Sequence, residues 1–194
     1  MTSVTLRYHD AWIDGLGCFR LRSVSAPTDG TQLTSWLNAT HVRSLYHLDG
    51  FSRDDDGRYG RDDVSCYLSV ISRSPSVRAL IGEVEGTPVS YWEFYQVTEI
   101  PELLSHVPSS SWGVHVLVGD VSWTGRGWGG SFIRAAVDAV CYREGAQAVV
   151  SEPNIMNTRA VRAFESAGFV RVVEMDLPSK RAQIMIKHTG SSCT

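Results

Sequence analysis

Paired cysteines are missing from this chain: Cys18, Cys66, Cys141 and Cys193 stand apart with no CxxC spacing. Neither a zinc ribbon nor a dithiol redox motif is expected, and each thiol is read as an isolated small side chain. An excess of positive charge is missing as well. Eighteen Lys and Arg against 21 Asp and Glu leave a net charge of -3, so no basic field gathers nucleic acid or an anionic membrane. No stretch approaches the roughly 18 uninterrupted apolar residues of a membrane span, and MTSVTLRYHDAWIDG lacks the regions of a secretory signal. These absences predict a cytoplasmic protein that acts on a small molecule and has no metal, nucleic-acid or membrane partner; a monomer or weak homodimer is expected, although the sequence itself does not write the oligomeric state.

What is present suffices for one compact domain. The 194 residues are 43% hydrophobic, and a single domain spanning 1–194, with an ordered core over residues 19–187, is expected. Cys18 to Val24 alternates as a half-buried strand does. Asp29 is placed to cap a helix carrying Leu33, Trp36 and Leu37, and Asp62 one carrying Val64, Tyr67, Leu68 and Ile71. Between these helices, FSRDDDGRYGR reads as a charged loop. Val77 to Glu85 and Val89 to Tyr95 form a hairpin around Gly86-Thr87-Pro88. An irregular stretch runs to Ser111. Trp112 to Gly119 is a strand, Trp128 to Arg143 a helix, Ala146 to Ser151 a strand, and Thr158 to Ala167 a helix. Strands over Phe169 to Asp176 and Ala182 to Lys187 follow. An antiparallel hairpin with a late βαβ unit predicts an α+β fold on a mixed sheet.

Between that late strand and helix lies Gly125-Arg126-Gly127-Trp128-Gly129-Gly130. Glycines there let backbone N–H groups curl around a phosphate, at a helix N-terminus that favours its charge. The same run satisfies G-x-G-x-x-G, and Glu152 follows at about the ~20 residues of a ribose-binding acid, so a dinucleotide site is the competing reading. Such a fingerprint normally opens its domain, whereas here over half the chain precedes it.

Downstream stands Asn157-Thr-Arg-Ala160-Val-Arg-Ala-Phe164-Glu-Ser-Ala-Gly168-Phe169. Together with Thr124-Gly-Arg-Gly127-Trp-Gly129, this resembles the GNAT superfamily of acyl-CoA N-acyltransferases, whose signature is Q/R-x-x-G-x-G/A before an N-x-x-A…GF helix. Thr124 replaces the usual Gln or Arg. Ile81 to Val89, Ser90-Tyr-Trp-Glu-Phe-Tyr95, Gly113-Val-His-Val-Leu-Val-Gly119, Ser151-Glu-Pro-Asn154 and Asp176-Leu-Pro-Ser-Lys180-Arg-Ala182 narrow the resemblance. The narrower branch holds siderophore-pathway lysine or hydroxylysine acyltransferases and aminoglycoside 6'-acetyltransferases. The resemblance implies the GNAT fold: a mostly antiparallel mixed sheet with helices on both faces and a βαβ acyl-CoA core. It implies acyl-CoA, most simply acetyl-CoA, as co-substrate and a small amine or hydroxylamine as acceptor, in siderophore or related specialised metabolism.

On this reading the pyrophosphate lies at Thr124, Gly125, Arg126, Gly127, Trp128, Gly129 and Gly130. Val116, Val118 and Asn157 meet the pantetheine arm. Phe164 stands where many relatives place a tyrosine that protonates the departing thiolate. Amide formation needs a neutral amine, yet a lysine-type amine titrates near ~10.4, so a base is useful. His115, on the strand beside the thioester, is that base. Asn154 stands where siderophore-type relatives commonly carry an acid; it is expected to orient groups only, which puts carboxylate assistance in doubt. Trp92, Glu93 and Tyr95 are assigned to the acceptor, with Glu93 meeting its positive charge. His47, with Tyr46 and Asp49, is placed in an acceptor-side loop. Aminoglycoside acetylation, with Asp54, Asp55, Asp56, Asp62 and Asp63 supplying an acidic cleft, and a non-catalytic acyl-CoA sensor remain as alternatives. No cysteine has a base beside it in sequence, so direct transfer in a ternary complex is expected.

Overall fold

A computed structural model describes residues 7–48 and 51–188; Asp49 lies outside them. The chain gathers into two compact units, one of residues up to Glu93 with Val116–Thr124, the other of Phe94–His115 with the residues from Gly125 onward. Among the described residues, eight strands and five α-helices make an α+β fold.

In the first unit, β1 (Arg7–Ile13) and β2 (Gly17–Ser23) form an antiparallel pair, and β2 also pairs antiparallel with β3 (Val77–Val84). β1 is an element that the sequence reading did not include. Only Ile13 among its hydrophobic residues is buried, while Trp12 is 74% exposed, so the alternation that identifies a half-buried strand is weak there. β3 continues into β4 (Thr87–Gln96) through a tighter turn than expected. Glu85 (φ 48°) and Gly86 (φ 78°) both take left-handed conformations, the two-residue geometry that matches strand twist, and Pro88 belongs to the strand.

The helix α1 (Ala26–Leu37) buries Leu33, Trp36 and Leu37 as predicted, but its N-cap is Ser25. Asp29 is diverted to Arg22, whose Nη1 and Nη2 each donate to its carboxylate at 2.8 Å, and it also accepts from the Ser25 N–H. A half-buried guanidinium offers a carboxylate a bidentate partner that a cap cannot match. A short α2 (Thr40–Arg43) follows, and α3 (Arg61–Ile71) is capped by Gly60, with Asp62 inside its first turn. Val64, Tyr67 and Leu68 of α3 join Leu33, Trp36, Leu37, Ile81 and Tyr91 in one core cluster.

The second unit is built on the first part of β5 (Trp112–Val118), up to His115, with α4 (Gly129–Glu144) and β6 (Ala148–Ser151). β5 and β6 pair parallel, Trp112 opposite Val149 and Gly113 opposite Val150, as a βαβ crossover requires. β7 (Val170–Leu177) and β8 (Lys180–His188) form a hairpin, and β8 pairs antiparallel with β6. α5 (Thr158–Ser166) starts on Asn157, whose Oδ1 accepts from the Ala160 N–H, and buries Val161 and Phe164. The irregular stretch before β5 contains two 3-10 turns, Val97–Glu99 and Pro101–Ser105, whose Val97 and Leu103 pack against Val150, Ala182 and Ile184.

Candidate active site

His115 lies on β5 two residues after Gly113, so the two share a face of the strand. The parallel register, carried two residues past the Gly113–Val150 pair, brings His115 level with Glu152 at the end of β6. His115 Nε2 and Glu152 Oε1 are in direct contact. The carboxylate's other oxygen accepts from the Tyr95 hydroxyl at 2.9 Å, and Lys180 Nζ lies 3.5 Å from Oε1. The Tyr95 ring, 4.8 Å from the His115 ring, crosses β5 over Gly113. A Cβ on Gly113 would sit 2.0 Å from Tyr95 Cζ, so only glycine admits the tyrosine there.

The Glu152 side chain is 1% exposed against 26% for His115. Burial alone would push the Glu152 carboxyl up, but His115, through charge and hydrogen bond, together with Lys180 and the Tyr95 hydroxyl, holds it down at about 2. The ordinary value is 4.5, so this group's stabilisation is complete above that pH and lost as pH falls towards 2. Urea-unfolding free energies should show a decline over that interval that is shallower in E152Q.

Glu152, which the dinucleotide reading assigned to a ribose, is thus the acid in contact with His115. The sequence reading placed no carboxylate beside the histidine, because the position it aligned with the relatives' acid is Asn154. Asn154 Oδ1 accepts from the Met156 N–H, and its backbone bridges to Ala182 on β8. With Nε2 engaged by Glu152, the neutral imidazole carries its lone pair on Nδ1, which makes Nδ1 the basic nitrogen.

At the glycine turn, Gly125 (φ 72°) and Gly127 (φ 84°) occupy left-handed backbone. Among the described residues no backbone carbonyl accepts from the N–H groups of Gly125, Arg126, Gly127 or Trp128. Trp128 is the N-cap of α4. Arg126 is exposed, and Arg159 of α5, which the sequence reading missed, reaches to 3.3 Å of where a Gly125 Cβ would be. Gly130 has another purpose: its Cβ would overlap Ser166 Oγ at 1.8 Å, so it lets α4 and α5 pack closely. Gly127 has open space around its Cβ position. G127V therefore acts through the positive φ, which a β-branched residue resists. It is expected to weaken CoA binding at least tenfold in calorimetry with a much smaller fall in Tm.

The other anticipated residues fall in varied settings. Val116 and Val118 are half-buried on β5, and the Val118 carbonyl meets His41 Nε2 at 3.0 Å. Thr124 Oγ1 donates to the Val121 carbonyl. Phe164 is core, packed edge-on against Phe169, so it neither meets solvent nor offers a proton. Trp92, expected at the acceptor, is fully buried with its indole N–H on Ser90 Oγ. Glu93 is buried too; its Oε1 accepts from the Tyr67 and Tyr91 hydroxyls at 2.7 and 2.6 Å. His47 is exposed between α2 and Phe51, and Tyr46 packs edge-on to Tyr91. Asp54 is exposed and accepts from the Asp56 and Arg58 N–H groups of its own loop. Among the described residues no three His, Cys, Asp or Glu are grouped to hold a metal ion, and no helix is long and apolar enough to cross a membrane.

The chain belongs to the GNAT acetyltransferase family, whose domain model matches residues 26–177. Acyl-CoA is the co-substrate of such an enzyme. An N(6)-hydroxylysine O-acetyltransferase of Escherichia coli is 28% identical over 93% of this chain, which spans only 54% of that relative's length. An aminoglycoside N(6')-acetyltransferase type 1 of Klebsiella pneumoniae is 25% identical over 82% of this chain and 78% of its own. In fold, an uncharacterised protein of Bacillus halodurans matches with a TM-score of 0.80 at 22% identity, covering 93% of this chain and 89% of its own. The aminoglycoside acetyltransferase AAC(6')-Ib, solved with paromomycin and acetyl-CoA, matches at 0.75 and 24% identity, covering 88% of this chain and 93% of its own.

Proposed function

We propose that this domain transfers an acyl group from acyl-CoA to a primary amine or hydroxylamine on a small lysine-, ornithine- or diamine-like acceptor, as in the making of siderophores. The observation that carries the reading is the buried Glu152 held against His115, a base–orienter pair on the strand that opens the βαβ unit. The E. coli hydroxylysine acetyltransferase supports the acceptor class.

In the reaction, the acceptor nitrogen attacks the thioester carbonyl carbon while His115 Nδ1 takes the N–H proton. The C–N bond forms, the C–S bond breaks, and the imidazolium returns its proton to the thiolate. Phe164 has no hydroxyl for that last step, which leaves His115 to complete it. Glu152 fixes the tautomer and stabilises the imidazolium, and the Tyr95 hydroxyl holds Glu152 in turn. The turn from Thr124 to Gly130, with Arg126 and Arg159, receives the phosphates of CoA. Asn157 meets the pantetheine arm. The cell's cytoplasm is the compartment that supplies acyl-CoA.

A second reading, aminoglycoside 6'-acetylation, is favoured by the Klebsiella relative's coverage. Thiol release from acetyl-CoA and longer acyl-CoAs, measured with lysine, N-hydroxylysine, ornithine, cadaverine and kanamycin, tests both. Turnover with the amino-acid or diamine group supports the proposal. Turnover with kanamycin alone moves the assignment to the second reading, and none with any acceptor overturns both.

A further inference from the structure

We infer that Lys180 is a positioning residue of this site: its ammonium shares Glu152 Oε1 with His115 and thereby sets the pH at which His115 becomes a neutral base. The inference rests on the base role proposed for His115, although its test does not need catalysis.

The chain contains two lysines, Lys180 and Lys187, its other cationic side chains besides histidine being arginines. Lys180 is the first residue of β8, opposite Leu177, so Pro178 and Ser179 alone close the hairpin. That start is tied to the segment following Glu152. The Ile155 N–H donates to the Arg181 carbonyl at 3.1 Å, the Gln183 N–H to the Pro153 carbonyl at 2.9 Å, and Asn154 bridges Ala182. Backbone contacts on both sides therefore fix where the Lys180 stem starts relative to Glu152, and the side chain, 26% exposed, spans the rest.

The groups that face Glu152 come from three strands: Tyr95 of β4 on Oε2, with His115 of β5 and Lys180 of β8 on Oε1. A nearly dry carboxylate with His115 as its one cation would bind the imidazolium strongly and keep the proton on it. A base held in that form takes no proton from an amine. The ammonium on the same oxygen supplies a second positive charge, which repels the imidazolium and neutralises part of the carboxylate's hold.

The test is an NMR titration of the His115 imidazole in the full chain without acceptor or CoA, the resonance identified by its loss in H115Q. K180M is expected to raise the His115 midpoint by about one pH unit, in the range of a single neighbouring charge. K180E should raise it further, and K180R should stay within about 0.3 unit of the parent, a displacement well below that of a whole charge. K187M serves as control, since Lys187 pairs with Asp138 at 2.9 Å, and it should leave the midpoint in place. The acidic limb of the kcat/KM profile should follow the same order, with the KM for acyl-CoA unchanged. A midpoint that is unmoved or lowered in K180M and K180E, or a K180R that behaves like K180M, overturns the inference. Ordered NMR shifts without acyl transfer to any acceptor leave the inference standing and remove the proposed function instead.

Discussion

H115A is expected to lower kcat at neutral pH by about 10²–10⁴-fold, the contribution of a positioned general base, while leaving CoA affinity nearly unchanged. The separation follows from placement in the chain: His115 is on β5, whereas the proposed phosphate cradle is the turn before α4. Stability should not confuse the result, because the side chain is a quarter exposed and its removal leaves no apolar cavity. It does leave Glu152 with less compensation, so H115Q, which keeps a hydrogen-bond donor, is the paired variant. Both should lose activity alike, with H115Q closer to the parent in Tm. If the two variants retain near-full rates with every acceptor, the histidine is structural and the base lies elsewhere.

The second large effect is expected from E152Q. The amide keeps the shape but loses the charge that favours the imidazolium, and it can present a donor where Nε2 needs an acceptor. Loss of the orienting acceptor should cost about 10²-fold or more in kcat, since a wrong tautomer places the lone pair on the wrong nitrogen. The acidic limb of the rate profile should move to lower pH, because the charged histidine has lost its anion. Asn154→Asp tests the neighbouring position. A new carboxylate near the site favours the imidazolium and should move the limb upward, by less than E152Q moves it down, because Asn154 Oδ1 is engaged with the Met156 N–H. A rate profile that is the same in E152Q and the parent would contradict the pairing.

Periodicity was a sound guide wherever burial falls on one face. α5 shows Val161 and Phe164 three apart, and α1 shows Leu33, Trp36 and Leu37, so both were legible. β1 was not, since its Trp12 points to solvent and little of it is buried. Helix starts failed for a different reason. Asp29 has the chemistry of a cap, but Arg22, distant enough in sequence to escape any local rule, holds it with two hydrogen bonds.

The site was half legible for a related reason. His115 could be found because it is the histidine of the strand that opens the βαβ unit. Its partner depends on strand register, and register between parallel strands joined by a helix is not set by any turn sequence. The carboxylate was therefore sought at Asn154, two residues beyond Glu152. Trp92 shows the limit of motif proximity. It is next to Glu93 in sequence but faces the opposite side of β4, where it packs edge-on against Phe19 at 6.5 Å. Gly130 shows the same for the glycine turn, in which one of the four glycines is there for helix packing.

The central claim, that His115 removes a proton from the attacking nitrogen, is tested most directly by comparing H115A with the parent on two acceptors that differ in basicity. One is an alkylamine of the lysine type, mostly ammonium at neutral pH with its ordinary value near ~10.4; the other is its N-hydroxylated counterpart, already largely neutral. Thiol release should fall considerably more for the alkylamine, with the gap between acceptors narrowing as pH rises and the alkylamine deprotonates in solution. An equal loss for both acceptors at every pH would contradict the account.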